Sequence, residues 1–456
     1  MDLTKILSEH VASGGAISPD DALHTKQSIL DQTGVMLAAG SLATDATPFV
    51  ELARAAGGHH ASVIGHGFKA PVTLAAFANG ALAHALDYED THDETLVHPH
   101  AAVVPAALAV GEMIGASGAE VLNAVALGAD ITCRIALGFD ESPESEHGFL
   151  VTPLIGAYGA TAASARLLGL TAEQVEQAFS LTFNQVNGSG AVQLFRKSHF
   201  RATRDAYNAQ AGVTAAILAR DGVNGFENVF DGPAGYYALF AGGRFDTAAI
   251  LKGLGEVFEG TRVSFKPWPS CRGSHAFVDA ALTLHSEHQF SADDIDEVHV
   301  DVSPFFVTII EPRDQRNRPE AGPAAKFSIP FTLGVALTKG RVGLEDFAED
   351  ALNDPSVLRL AEATRYNVRH DWTHRQSTRG AVTLTMTDGT TLSGEVVNPL
   401  GHPSNPMSLD ALETKFRACA AYAARGAETR DIDEIIRLIE TLETLDNVAT
   451  LTQALS

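Results

Sequence analysis

The sequence predicts a mainly α-helical protein that carries an inserted α+β part. Three observations lead to this fold class. Apolar residues recur at three- and four-residue spacing through roughly the first 260 residues, which is the pattern of buried and amphipathic helices. After about Lys266 the chain shows segments that alternate with a period of two, as strands do. From Ser408 onward the helical spacing returns.

The helices of the first part begin at recognisable capping sequences. Ser18-Pro19-Asp20-Asp21 supplies a capping oxygen, a proline and two carboxylates, and it predicts a helix that runs to about Ala39. Thr171 followed by Gln174 has the pattern of a capping box and predicts a second helix start. The stretch from Leu74 to Leu86 is apolar on every side, so we expect a helix inside a helical cluster.

The α+β part is predicted from two alternating stretches. Asp294 to Val302 reads as one strand, and Val382 to Val397 reads as a hairpin that turns at Asp388-Gly389. Helical spacing near 274–285 and 355–363 lies between them. We therefore predict an all-helical domain formed by residues 1–265 together with 400–456, and an α+β domain formed by residues 266–399.

Composition restricts the possible functions. Among 456 residues, 32 Lys and Arg face 56 Asp and Glu, and the net charge of −24 disfavours binding to nucleic acid or to an anionic membrane surface. Three separated cysteines offer neither a disulfide framework nor a four-thiolate metal site. With no signal-peptide pattern at the N-terminus and no long apolar span, we expect a soluble cytoplasmic protein.

The densest polar cluster extends from His84 to His100. If the preceding helix continues, His84, Asp87 and Thr91 lie on one face, and a buried carboxylate there indicates a functional role. The alternative is a solvated helix end. Four histidines within these seventeen positions also allow a metal site, but no ligand spacing of a known metal motif is present. We therefore expect no metal.

Two further clusters are candidates for binding an anion. On a helix, Lys197, Arg201 and Arg204 share a face and could clamp two carboxylates, although a solvated patch that pairs with acidic neighbours or a partner subunit is an equal alternative. Lys266 lies among aromatic and proline residues, and such an apolar setting lowers the pKa of a lysine, which makes it a usable acid or base near neutral pH. We assign the nearby Ser270 and His275 to substrate binding. Cys271 is a weaker candidate nucleophile.

Four runs of sequence, in order along the chain, resemble the MmgE/PrpD (2-methylcitrate dehydratase) family. They are NGALAHALDYEDTHDETLVHPHAAVVPAALAVGE, FKPWPSC with a following His, AKFSIPF and HPSNPMS. The family includes 2-methylcitrate dehydratase, cis-aconitate decarboxylase and iminodisuccinate epimerase. The resemblance implies a small polycarboxylate substrate, no metal or organic cofactor, a homodimer, and an α+β lid inserted into a helical domain.

The resemblance also implies roles for individual residues. It assigns Asp87, Thr91 and His98 to the pocket, with Lys266 at the junction of the lid. His98 and Lys266 suit acid–base work, Asp87 would orient His98 or keep Lys266 charged, and Thr91 would hydrogen-bond a substrate carboxylate.

Two departures from the family pattern narrow the choice of reaction. The decarboxylase and the epimerase carry a His where this chain has Leu150, and a Lys where an ungapped count places Arg201. We therefore predict a cofactor-independent lyase, a dehydratase of a hydroxy di- or tricarboxylate. The alternatives are an epimerase, isomerase or decarboxylase acting on a related substrate, and a family member with a degraded site that only binds a carboxylate.

Overall fold

The computed structural model describes residues 2–139, 148–191, 198–423 and 430–456. Within this part the chain forms two compact units, one from residues 1–263 and 408–456 and the other from residues 264–407. The first is built mainly from helices and comes from both chain ends. The second combines helices with a mixed sheet, so the predicted fold class is confirmed.

The described helices of the first unit come from both ends of the chain. They span Leu3–Ser13, Pro19–Leu42, Thr47–Ala56, Val72–His84, Pro99–Ile114, Gly118–Leu137, Val151–Leu167, Ala172–Phe183, Phe200–Arg220, Tyr236–Phe240, Thr247–Leu251, Leu409–Ala420, Ile432–Glu440 and Ala449–Leu455. Both predicted caps are present, since Ser18 accepts from the Asp21 amide and Thr171 forms a capping box with Gln174.

The helix Val72–His84 is the buried helix that the apolar run predicts. It packs against the helices Pro99–Ile114 and Phe200–Arg220. A glycine makes the second of these approaches possible, because a Cβ atom at Gly80 would lie 2.6 Å from the carbonyl oxygen of Asp205. The close approach brings the end of the buried helix beside the polar residues of its neighbour.

The first unit also contains a small hairpin that the sequence analysis did not predict. Strand β1, Ala61–Val63, pairs antiparallel with β2, Phe68–Ala70. Each strand has only three residues, so neither shows a readable alternation.

The second unit contains a four-stranded sheet with the order β4-β3-β5-β6. Its strands are β3, Ile295–Val302; β4, Thr364–Val368; β5, Gly380–Met386; and β6, Thr391–Val396. Strand β3 runs parallel to β4 and antiparallel to β5, and β5 and β6 form the predicted hairpin. The helices of this unit span His275–His288, Arg313–Asn317, Gly322–Lys326, Ile329–Lys339 and Pro355–Ala363.

No helix among the described residues combines the length and the apolar character needed to cross a membrane.

Candidate active site

The polar segment after the buried helix is irregular rather than helical. The helix ends at His84, so the condition that it continues through Thr91 is not met. Asp87 adopts a left-handed backbone conformation with φ 50°, which ends the helical path and turns the chain. The next helix begins at Pro99. A chain reversal therefore brings the two ends of the segment together.

Glu89 lies at the centre of this reversal, and its side chain is fully buried. Its Oε1 atom is 2.5 Å from His84 Nδ1 and 2.9 Å from His98 Nδ1. The two imidazole rings are 5.2 Å apart between centroids. Glu89 Oε1 therefore accepts a hydrogen bond from His84 and forms a close ion-pair contact with His98, which lies fourteen positions after His84 in the sequence.

The hydrogen bonds of His98 determine which of its nitrogens carries the proton. Its Nδ1 also lies 2.9 Å from the carbonyl oxygen of Asp90. A carbonyl oxygen only accepts hydrogen bonds, so Nδ1 is the donor and the neutral ring keeps its lone pair on Nε2. The side chain of His98 is 12% exposed. This tautomer gives His98 a basic nitrogen that can accept a proton.

The helix Phe200–Arg220 places a second carboxylate near His84. Asp205 Oδ2 lies 3.8 Å from His84 Nδ1, and Asp205 Oδ1 accepts from Asn208 Nδ2 at 2.9 Å. Burial lowers the pKa of His84, and the nearby Arg204 guanidinium lowers it further, against the raising effect of Glu89. His84 is therefore a neutral donor that fixes Glu89.

Asp87 and Thr91 lie beside the same centre. One side-chain ligand atom from each of His84, Asp87, Glu89 and His98 lies within 4.8 Å of the others. Thr91 is buried, and its Oγ1 is 3.5 Å from His98 Nδ1. The predicted residues Asp87, Thr91 and His98 are thus brought together, with Glu89 and His84 between them.

The same four residues have the donor types of a divalent-metal site. Ligands around a tetrahedral zinc ion, bound at about 2.0–2.1 Å, would lie roughly 3.3 Å from one another. The His84–Glu89 and His98–Glu89 separations of 2.5 and 2.9 Å are shorter, and they match direct hydrogen bonds. The separations are therefore those of direct contacts between the side chains.

The basic cluster is only partly described. Lys197 lies outside the described residues, and the described helix starts at Phe200. Arg201 is partly buried. Arg204 is 5% exposed, and its Nε lies 3.4 Å from Asp205 Oδ2. Arg204 is therefore close to a carboxylate of the protein itself, and the cationic face proposed for an anion remains a prediction.

The second unit holds the remaining candidates. Lys266, Ser270 and His275 are all fully buried. Ser270 Oγ is 2.8 Å from Ser274 Oγ, and His275 Nε2 is 3.2 Å from the Ser270 carbonyl oxygen. Arg272 donates to Ser264 Oγ, at the start of this unit, and to the carbonyl oxygen of Leu400, near its end. Its guanidinium therefore connects the two ends of the unit.

Comparison with known proteins decides the family. A model of the MmgE/PrpD N-terminal domain matches residues 7–248, and one of the MmgE/PrpD C-terminal domain matches residues 268–441. The chain belongs to the MmgE/PrpD family. The cis-aconitate decarboxylase of Mus musculus is 26% identical over 78% of this chain and 73% of its own length. The cis-aconitate decarboxylase of Aspergillus terreus is 24% identical over 81% of this chain and 79% of its own length. The 2-methylcitrate dehydratase of Escherichia coli O157:H7 is 27% identical over 55% of this chain and 53% of its own length.

In this MmgE/PrpD chain, one of the two positions expected to depart from the family pattern is Leu150, which directly precedes the helix Val151–Leu167. Leu150 is buried, and its amide donates to the carbonyl of Gly188 at the start of the helix Val151–Leu167. Tyr158 in that helix packs between Phe230 and Tyr236, with ring centroids 5.1 and 5.3 Å away. Burial raises the pKa of Tyr158 well above its ordinary value, so it cannot replace a titrating histidine near neutral pH.

Sequence reasoning missed Glu89 and Asp205 as members of the site. Glu89 was one of several acids in a run, and spacing on a continued helix selected Asp87 instead. Asp205 follows the basic cluster and reaches His84 only because two helices approach closely at Gly80. A carboxylate flanked by histidines on both sides in the sequence was the available signal for Glu89.

Proposed function

We propose that this protein is a cofactor-independent lyase that acts on a small hydroxy di- or tricarboxylate. The observation that carries the proposal is the Glu89–His98 pair, which leaves a basic Nε2 on a partly exposed histidine. Enzyme relatives that are named a decarboxylase and a dehydratase support a lyase acting on a carboxylate.

In the proposed dehydration, His98 Nε2 removes a proton from the carbon next to a substrate carboxylate. The C–H electron pair becomes the new double bond, the adjacent C–O bond breaks, and the hydroxyl leaves as water after it takes a proton from a general acid. We assign the acid to Lys266. The charge of Glu89 stabilises the imidazolium that His98 becomes, as the carboxylate of a catalytic triad does.

Binding of the substrate carboxylates is assigned to the remaining candidates. Thr91 would donate a hydroxyl hydrogen bond to one carboxylate, and Asp87 would help to orient His98. Ser270 and His275 would bind another carboxylate of the substrate. Cations at Lys197, Arg201 and Arg204 would neutralise the developing enolate-like charge.

A decarboxylase is the second candidate. The decarboxylase of Mus musculus aligns with 78% of this chain, whereas the dehydratase of Escherichia coli aligns with 55%. In that reaction a C–C bond breaks, carbon dioxide leaves, and His98 or Lys266 in its protonated form delivers a proton to carbon. The departures from the family pattern that we expect at Leu150 and Arg201 argue against this second candidate.

Proton NMR in deuterated buffer distinguishes these reactions in one assay. The purified protein is incubated with 2-methylcitrate, citrate, cis-aconitate, malate, tartrate or iminodisuccinate, and His98→Gln serves as the control. A new vinylic signal from a hydroxy acid supports the dehydratase. Loss of carbon dioxide supports the second candidate, and epimerisation or deuterium uptake alone indicates an isomerase. Absence of turnover and of exchange with all six substrates contradicts a catalytic role.

We also infer that the protein is a homodimer. Light scattering coupled to size-exclusion chromatography should give twice the chain mass of 48.1 kDa. A mass equal to a single chain would contradict the inference.

A further inference from the structure

Lys415 connects the C-terminal segment with the candidate active site. It lies in the helix Leu409–Ala420, which packs against the helix Pro19–Leu42. Its Nζ atom is 2.5 Å from Asp31 Oδ1 and donates to the carbonyl oxygen of Tyr88 at 2.7 Å. The ammonium also lies over the Tyr88 ring, 3.9 Å from its centroid. Lys415 is 6% exposed, so all these contacts are buried.

The hydrogen bond from Lys415 to the Tyr88 carbonyl oxygen holds the backbone directly before Glu89. Tyr88 directly precedes Glu89, the carboxylate that contacts both histidines, and directly follows Asp87, whose left-handed conformation turns the chain. A hydrogen bond from a charged donor is stronger than one between neutral groups. Lys415 therefore restrains the chain on which Glu89 is presented.

The buried charges around Lys415 also link this residue to the segment that carries Glu89. Asp31, Glu89 and Asp90 are all buried, with exposures of 3%, 0% and 1%. Burial raises the pKa of Asp31 to about 6 against the lowering effect of Lys415, while Asp90 and Glu89 raise it further. Three carboxylates therefore influence one another, and Lys415 supplies positive charge among them.

We propose that Lys415 is a positioning residue of the active site, which holds the 87–91 segment through the Tyr88 carbonyl and thereby places Glu89 against His98. The inference rests on the proposed function and extends it to a residue from the C-terminal helix. A purely structural ion pair would need only Asp31. The additional bond to Tyr88 is what joins Lys415 to the catalytic segment.

Variants that remove the Asp31 contact with or without the Tyr88 contact distinguish a structural role of Lys415 from a positioning role. Lys415→Met leaves the Asp31 carboxylate buried without its cation and should lower the melting temperature. Lys415→Met combined with Asp31→Asn removes both charges and should regain most of that loss, yet it still lacks the donor to Tyr88. For this double variant we expect kcat at least tenfold below that of the parent protein, with KM within threefold. Asp31→Asn alone keeps the donor and should retain activity.

A matched control is available in the second unit. Lys339 Nζ forms a similar ion pair with the buried Asp346 Oδ1 at 2.8 Å. Lys339→Met should therefore lower the melting temperature without changing kcat. A folded double variant of Lys415 and Asp31 with the kcat of the parent protein would overturn the proposal.

A second readout does not depend on turnover, so it remains decisive if the proposed function fails. Long-range ¹H–¹⁵N correlation spectra of histidine-labelled protein report which imidazole nitrogen is protonated, and His98→Gln identifies the signal of His98. The parent protein should show the Nδ1–H form of His98, and the double variant should show a mixture of both tautomers. An unchanged His98 signal in the folded double variant would refute the positioning role whatever the substrate is.

Discussion

Replacement of Glu89 by Gln tests the geometry of the site most sharply. The change removes the charge but keeps the shape of a side chain whose Oε1 accepts from His84 at 2.5 Å and lies 2.9 Å from His98 Nδ1. A hydrogen bond to a charged group contributes about 1.5–3 kcal/mol. If the bond to His98 strengthens as the imidazole becomes charged, loss of that amount lowers kcat by about 10- to 150-fold, since about 1.4 kcal/mol corresponds to tenfold.

Steady-state kinetics on the substrate identified by NMR, together with thermal unfolding, measure both effects of Glu89→Gln. Glu112→Gln is a matched control, because Glu112 is also buried and accepts from the Ser62 amide at 2.7 Å and from Lys69 Nζ at 2.8 Å, away from the site. Glu112→Gln should lose stability and keep kcat. A folded Glu89→Gln protein with kcat within threefold of the parent would refute the reasoning.

Three further results are expected. Lys266→Ala should lower kcat by at least ~100-fold if Lys266 is the general acid, and a fully active variant would remove it from the mechanism. Prolonged treatment with EDTA should leave kcat unchanged, whereas a loss that zinc or iron reverses would favour a metal at the Glu89 cluster. Burial lowers the pKa of His92 in the folded protein below its unfolded value near 6.5. Below that pH the unfolded chain binds a proton at His92 that the folded protein does not, so the free energy of unfolding falls as the pH decreases. His92→Gln should therefore weaken the decline in denaturation midpoint between pH 7.5 and 5.5, and a slope identical to that of the parent would contradict this.

The elements with strong local signals could be predicted from the sequence. The cap at Ser18, the apolar run ending near His84 and the hairpin turn at Asp388-Gly389 each determine their structure within a few residues. Short elements could not be predicted in this way. The hairpin β1–β2 has strands of three residues, and β4 pairs with a strand more than sixty positions away.

The site was only partly predictable, for a physical reason. Extension of the helix past His84 placed Asp87 and Thr91 together but gave them the wrong backbone, because the helix ends at His84 and Asp87 adopts a left-handed conformation. Glu89 acquires its two partners only after the chain reverses. Lys415 is more than three hundred positions from Tyr88, so no local pattern connects the two residues.

Exchange of substrate hydrogen with solvent tests the central claim, that His98 moves a proton at carbon next to a carboxylate. The account predicts that the parent protein exchanges this hydrogen for deuterium or eliminates it, and that His98→Gln does so at least ~100-fold more slowly while it stays folded. Equal rates for the two proteins would contradict the account.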